Sequence, residues 1–487
     1  MLVARVGGDL YARIRYHDTV TFRLLHYSDI ENAYDDVERI ARLSGTLRAL
    51  DGPDAIVCGT GDTTAPGVLA LQTRGGQAIE FYERVGTRVE TFGNHDFDFG
   101  IERTLELVGR SPQQWLASNI FHGDGEQRNA RFGAEVGVAS TAIYEVGEST
   151  VGFFGLTDPS TPDINPHAQG VRFTDPMQAA DRAVEQLNER EVDHVVCLSH
   201  LGRDDDMLAE RLDVDAILGG HIHSERELTI GETVLTRPGV NGAVVFEIEL
   251  PSGVVSRHSV VDGPRDEELA DRFQARIDTT GLEETVGIVE TPIERTERSC
   301  FHGESRIGNF VADAYRWAAG RADHEGPLIG LQNAGGIREG PPLAGPVTRA
   351  DLMSVIPFEE SVAVLELGGA ELLTTIAEAD TSVGFGDAEA DWWHAHISGA
   401  QVAYDQTAGT LREASVAGAP VEPTETYRVA TSEYLLETPG EFPTLVEEMR
   451  IDTLDTQYEV LGAYAEAVGI DPSIEGRVIR YGAGELV

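Results

Sequence analysis

Apolar and polar positions along this chain follow two periods, and the two take turns. Five short apolar runs, at residues 22–25, 55–58, 89–92, 195–198 and 216–218, have the length and flanking turn residues of buried strands. Stretches of helical spacing lie between them. Residues 36–50 bring Val37, Ile40, Leu43 and Leu47 to one face, and residues 176–190 do the same with Met177, Ala180, Val184 and Leu187. This alternation, from residue 22 to about 261, predicts an α/β domain whose parallel strands end on a common rim. Closely spaced apolar runs over 234–250 predict paired strands that finish the domain.

The pattern breaks at Asp262-Gly263-Pro264. Residues 266–277 then carry Leu269, Phe273 and Ile277 on a narrow stripe, which predicts an exposed linker helix. A second domain opens with a helix over 307–319 and continues with strands near 362–367, 397–404 and 427–431. The expected division is 20–262, a linker helix at 263–285, and 286–487, which suits a chain of 487 residues.

Composition changes the picture at one point. The chain has 83 acidic residues against 37 basic ones, a net charge of −46, and every basic residue is Arg. Such a surface repels itself at low ionic strength, whereas in ~1 M salt the Debye length shrinks to ~3 Å. The balance points to adaptation to high salt; the alternative is an acidic protein from an Arg-biased genome. It lacks the basic footprint of a nucleic-acid binder. No long apolar stretch predicts a membrane span, and residues 1–20 lack the apolar segment of a leader peptide, so a cytoplasmic monomer or homodimer is expected. Cys58, Cys197 and Cys300 are odd in number and without CxxC spacing, which predicts buried, reduced thiols.

The chemistry sits where the apolar runs end. In order they give Asp29-x-Glu31, Gly61-Asp62, Gly93-Asn94-His95-Asp96 with Asp98 after it, Ser199-His200 and Gly220-His221-x-His223. Carboxylate, amide and imidazole ligands in this mixture suit two divalent ions about a shared carboxylate. Asp62 is the expected bridge, with Asp29 and His223 serving one ion and Asn94, His200 and His221 the other. Each cluster alone is more often a turn or a structural histidine. The ordered set, each member after a strand, carries the argument.

That set resembles the calcineurin-like metallophosphoesterases, and within them the two-domain 5′-nucleotidase and 2′,3′-cyclic-nucleotide phosphodiesterase (UDP-sugar hydrolase) branch. The resemblance implies an α/β fold: an N-terminal four-layer αββα sandwich and a C-terminal α+β substrate-binding domain. It implies hydrolysis of nucleotide phosphate esters by metal-activated water, with two divalent ions (Mn²⁺, Mg²⁺ or Zn²⁺) as cofactors. His95, oriented by Asp98, would stabilise the transition state or assist the leaving group. The second domain matches at Gly308-Asn309-Phe310-Val311-Ala312-Asp313-Ala314, at Asn333-Ala334-Gly335-Gly336-Ile337-Arg338, at Pro357-Phe358 and at Ala430-Thr431-Ser432-Glu433-Tyr434. Asn333 and Arg338 would then bind substrate, and Phe358 and Tyr434 would sandwich a nucleobase.

The chain departs from the family at several positions. The first motif usually reads Asp-x-His; here position 31 is Glu, a carboxylate that can still bind a metal and shifts preference toward Mn²⁺ or Mg²⁺. Phe301 replaces a phosphate-clamping Arg, with Arg298 and Arg306 nearby as substitutes. Gly440, next to Glu441, replaces a ribose-binding acid, and Glu360 replaces an Asn. His394 and His396 are expected to be an exposed strand-edge pair. Two other readings stay open: a metallohydrolase of the same fold for a non-nucleotide ester, and a catalytically silent nucleotide- or metal-binding protein.

Overall fold

The computed structural model describes residues 22–123, 130–279, 282–322, 326–380, 392–438, 440–482 and 485–486. Residues 1–20, read above for a leader, lie outside them. Two six-stranded sheets build the first part of the chain. In one, Phe22–Tyr27, Ala55–Gly59, Val89–Thr91 and Gln114–Leu116 run parallel, and Val244–Leu250 and Val254–Ser259 extend it antiparallel beside Phe22–Tyr27. In the other, Ser149–Thr157, His194–His200, Ala216–Gly219 and Thr233–Arg237 run parallel between antiparallel edges Thr141–Val146 and Arg226–Ile230.

The sheets meet through Phe22, Leu24, Ile56 and Val89 on one side and Phe153, Val196, Leu198 and Ala216 on the other, all buried. Helices Val37–Leu50 and Gln77–Val85 cover the back of the first sheet, and Pro176–Glu189 and Asp205–Arg211 the back of the second. Strands buried on both faces cannot alternate, which is why they appear as continuous apolar runs. Helix starts follow local chemistry: the Asp36 carboxylate accepts from the Arg39 N–H, and Asp175 caps the helix that begins at Pro176. The result is the four-layer sandwich expected.

Two expectations are corrected here. Residues 234–250 do not form a hairpin: Thr233–Arg237 belongs to one sheet and Val244–Leu250 to the other. Gly239, Asn241 and Gly242, at φ of 78°, 58° and 58°, carry the chain across between them. The linker helix Glu267–Thr279 is not a free spacer, because Leu269 and Phe273 are buried in the first helical layer against Val37–Leu50. Asp266 anchors its start through Ser44, Arg48 and Arg84.

The second part is built on a mixed sheet in the order Ala395–Ser398, Leu328–Asn333, Thr426–Ser432, Ser361–Gly368 and Arg450–Thr456. Helices Arg306–Arg321 and Gln457–Val468 pack on one face, and a second sheet with Ala400–Asp405 at its centre lies on the other. The predicted strand over 397–404 is thus two strands in different sheets. Gly399, at φ +77° and close against the Leu328 carbonyl, turns the chain from one to the other. His396 (1% exposed) and His394 (4%) are buried, contrary to expectation: His396 lies on a strand covered by the helix Arg306–Arg321, and His394, just before that strand, packs against Phe442 and Glu441.

Candidate metal centre and substrate cleft

The carboxyl ends of both parallel strand sets open on one rim. Asp29 follows Phe22–Tyr27, Asp62 follows Ala55–Gly59, Asn94 follows Val89–Thr91, His200 ends its own strand, and His221 and His223 follow Ala216–Gly219. The turns that carry them are strained: Asp29, Glu31, Asp62 and His221 have φ of 46°, 44°, 51° and 73°. Side chains other than glycine rarely adopt this conformation, and such residues cluster at functional sites.

Two groups of potential ligands result, each with its ligand atoms within 4.8 Å of one another: Asp62, His200 and His221, and Asp29, Glu31 and His223. Glu31, Asp62 and His95 form a third such group that bridges them. His200 Nδ1 donates to the Thr60 carbonyl at 2.6 Å, which leaves Nε2 facing Asp62 at 3.1 Å. His223 Nε2 lies 3.2 Å from Glu31, and the His221 N–H donates to Asp29 at 3.1 Å. Asp29, Glu31, Asp62 and His200 are almost fully buried.

Placing three carboxylates together is unfavourable without a cation. Burial pushes the Asp29 carboxyl up to about 7, and neighbouring Asp62 and Glu31 add to this against the pull of His200 and His223. Burial works the same way on Asp62 but is overridden by His200, His95 and His221, which hold it well below the usual range. The Asn94 side-chain oxygen is buried and accepts no hydrogen bond from the described residues. A buried acceptor without a donor, beside this set of oxygen and nitrogen ligands, fits a divalent cation.

Several residues without an assigned role hold this arrangement in place. The Asp96 carboxylate accepts from the backbone N–H groups of Asp62, Thr63, Thr64 and Gly93 and so fixes the loop that presents Asp62. Asn165 donates to the Asn94 carbonyl at 2.7 Å and to Asp98 at 2.8 Å, and Asp158 approaches His221 at 3.5 Å. Asp96 stands inside a motif visible in the sequence; nothing local marks Asn165 or Asp158. His95 and Asp98 meet as expected, with Nδ1 at 3.1 Å from both carboxylate oxygens.

A cleft of about 950 Å³ lies over the centre, walled by both parts of the chain. Asn94, His95, Asp98, His221 and His223 line it from the first, and Asn333, Arg338, Phe358 and Tyr434 from the second. The Phe358 ring lies over His95 at 6.1 Å, and the Tyr434 hydroxyl donates to the Ile164 carbonyl at 2.9 Å. Asn333 and His394 both bind Glu441, at 2.7 and 2.6 Å, so the buried histidine faces the cleft floor. The proposed substitutes for the clamping Arg do not serve: Arg306 is spent on the carbonyls of Thr291, Pro292 and Pro472, Arg298 is exposed, and neither lines the cleft. Phe301 does line it, packed on Trp392 at 4.8 Å.

This fold and rim define a phosphoesterase-type hydrolase. Residues 22–225 match the family described as calcineurin-like phosphoesterase, and residues 284–447 the 5′-nucleotidase C-terminal domain. The chain therefore carries a calcineurin-like phosphoesterase domain followed by a 5′-nucleotidase C-terminal domain. Among solved structures, a 5′-nucleotidase precursor from Thermus thermophilus superposes with TM-score 0.81 at 23% identity, covering 94% of this chain and 99% of that one. A sulfate thiohydrolase, SoxB, from the same organism gives 0.76 at 20%, covering 95% and 97%. The trifunctional nucleotide phosphoesterase protein YfkN of Bacillus subtilis is 21% identical over 93% of this chain, which spans only 34% of that relative.

Proposed function

We propose that the protein hydrolyses phosphate esters of nucleotides at a centre that would hold two divalent cations, with Asp62 the carboxylate placed to serve both. The observation that carries this reading is the pair of ligand groups, Asp62-His200-His221 and Asp29-Glu31-His223, facing each other under a cleft with aromatic walls. When bound, the ions supply Lewis-acid polarisation of the ester and acidify the attacking water. Asn94 completes the ligand set with its free oxygen. His95, held by Asp98, donates a proton or hydrogen bond to the departing oxygen. Arg338 binds the phosphate, Phe358 and Tyr434 stack on the base, and Asn333 orients the sugar through its place on the floor.

The test is phosphate release from a panel of nucleoside monophosphates, 2′,3′-cyclic nucleotides and nucleotide sugars, at molar salt, with Mn²⁺, Mg²⁺ or Zn²⁺. Release from at least one class supports the reading; none from any class removes it. One observation favours a second reading, a non-nucleotide ester. The wall from the second domain carries Glu297, Glu339, Glu359, Glu360 and Glu441 but a single arginine, Arg338, among the described residues. Burial pushes the Glu360 carboxyl up to about 7. Likeness to both a 5′-nucleotidase and a sulfate thiohydrolase shows that the fold alone does not choose between them.

A further inference from the structure

Glu31 does more in this structure than offer an oxygen to a cation. It is 1% exposed and forms an ion pair with Arg338, which the second domain sends across the cleft. Its other oxygen lies 3.2 Å from His223 Nε2, and His223 Nδ1 faces Glu339 at 3.8 Å. Arg338, Glu31, His223 and Glu339 therefore alternate in charge potential across the domain boundary. The Arg338 backbone is independently fixed: its N–H donates to the Val355 carbonyl at 2.9 Å, and its carbonyl accepts from Arg295 at 3.2 and 3.1 Å. Arg295 is in turn held by Ser354. Only the side chain of Arg338 is left to be aimed, and Glu31 is the group that aims it.

Resting on the proposed phosphoesterase reading, we propose that Glu31 is a positioning residue for Arg338, holding its guanidinium over the ligand cluster where an anionic substrate group arrives. The local charge makes such a holder necessary. Arg338 shares the cleft with other carboxylates, its chain neighbour Glu339 and Glu360 among them, that compete with the ligand cluster for its guanidinium. A neutral histidine at position 31 could serve a metal but offers no negative charge to an arginine. A carboxylate does both, because one oxygen can face the ligands while the other pairs with Arg338.

Glu31→His and Glu31→Gln, each compared with the wild type at molar salt and saturating Mn²⁺, test this. Three quantities are read: Mn²⁺ equivalents by equilibrium dialysis, the Kd of inorganic phosphate by calorimetry, and kcat and KM on any ester that is turned over. Expected for Glu31→His is unchanged Mn²⁺ stoichiometry and a rise in phosphate Kd and KM of roughly tenfold or more, larger than any accompanying fall in kcat. Phosphate binding equal to wild type in Glu31→His overturns the proposal, as does loss of one Mn²⁺ equivalent with phosphate Kd otherwise unchanged. A double-mutant cycle guards against misfolded variants. If Glu31 acts through Arg338, the phosphate affinity of Glu31→Gln with Arg338→Gln equals that of Arg338→Gln alone, and additive losses refute it. Absence of turnover on every ester would remove the hydrolase reading while leaving the phosphate-binding comparison intact.

Discussion

His95 shows how single side chains set the chemistry at this rim. Burial works against its imidazolium, yet Asp98 at 3.1 Å and the nearby Asp62 hold its pKa up to about 9. A raised pKa means the proton is present below that value and lost as pH rises through it. Activity that needs the His95 proton should therefore fall on the alkaline side. Replacing Asp98 with Asn removes a main support of the charged ring, so the alkaline limb of kcat/KM should move to lower pH and kcat should fall roughly 10–100-fold. An unmoved limb would deny His95 the role of donor. Asp62 gives a second expectation at this scale. At ~100 times the Kd, Mn²⁺ should stabilise the wild type by about 2.7 kcal/mol per bound ion in a thermal melt. Asp62→Asn should lose most of that gain; equal stabilisation of both would show that Asp62 is not shared between ions. The ligands themselves were legible because each follows an apolar run. Asn165 and Asp158 were not, because their partners lie on other elements and only the folded chain brings them close; Asp96 stood in a visible motif, but its grip on the Asp62 loop did not.

At the scale of elements, what sequence conveys is burial, and what it hides is which surface does the burying. The five strands that carry the ligands announced themselves because both their faces are covered. The stripe of Leu269 and Phe273 announced a helix but not its partner, the helix Val37–Leu50. The step between sheets at Gly399 was invisible for a related reason: an apolar run continues across it while the backbone turns. His394 and His396 were misplaced because nothing local shows that helix Arg306–Arg321 covers His396 or that Glu441 and Phe442 enclose His394. The linker helix also yields a prediction. Burial favours the neutral form of Asp266, but Arg84, Ser44 and Arg48 overcome it and depress its pKa below the usual range. A depressed carboxyl contributes stability above its unfolded value of about 3.9 and loses it as pH falls through the folded value. Asp266→Asn should therefore cost about 3 kcal/mol at pH 7 in chemical denaturation, shrinking toward zero in acid. A cost that is equal at pH 3 and pH 7 would mean the anchor is not electrostatic.

For the molecule as a whole, the decisive quantity is charge. A net −46 is distributed over the two domains. The contacts across the boundary include one small apolar cluster, Val68, Leu71 and Met353 flanked by Phe99, Leu282 and Tyr458, the ion pairs Arg74–Glu359 at 3.2 Å and Arg338–Glu31, and the polar contacts of Tyr434 with Ile164 and of His223 with Glu339. Each domain, by contrast, closes over cores of twenty or so buried apolar residues. Repulsion between like-charged bodies reaches further as salt is removed, with a Debye length of ~3 Å at 1 M growing to ~30 Å at 0.01 M. The apolar cluster at the boundary is smaller than the core of either domain, so the domain contact should yield first. On stepwise dilution from molar KCl, activity on whichever ester the panel identifies should therefore disappear at a higher salt concentration than the far-UV circular dichroism of the folded domains. Screening depends on ionic strength and not on the identity of the cation, so NaCl or choline chloride at equal strength should restore both signals alike. Recovery in KCl only would point to a bound potassium ion. Full activity and an unchanged melting temperature at 0.01 M salt would mean that the acidic surface reflects codon bias and not an adaptation to salt.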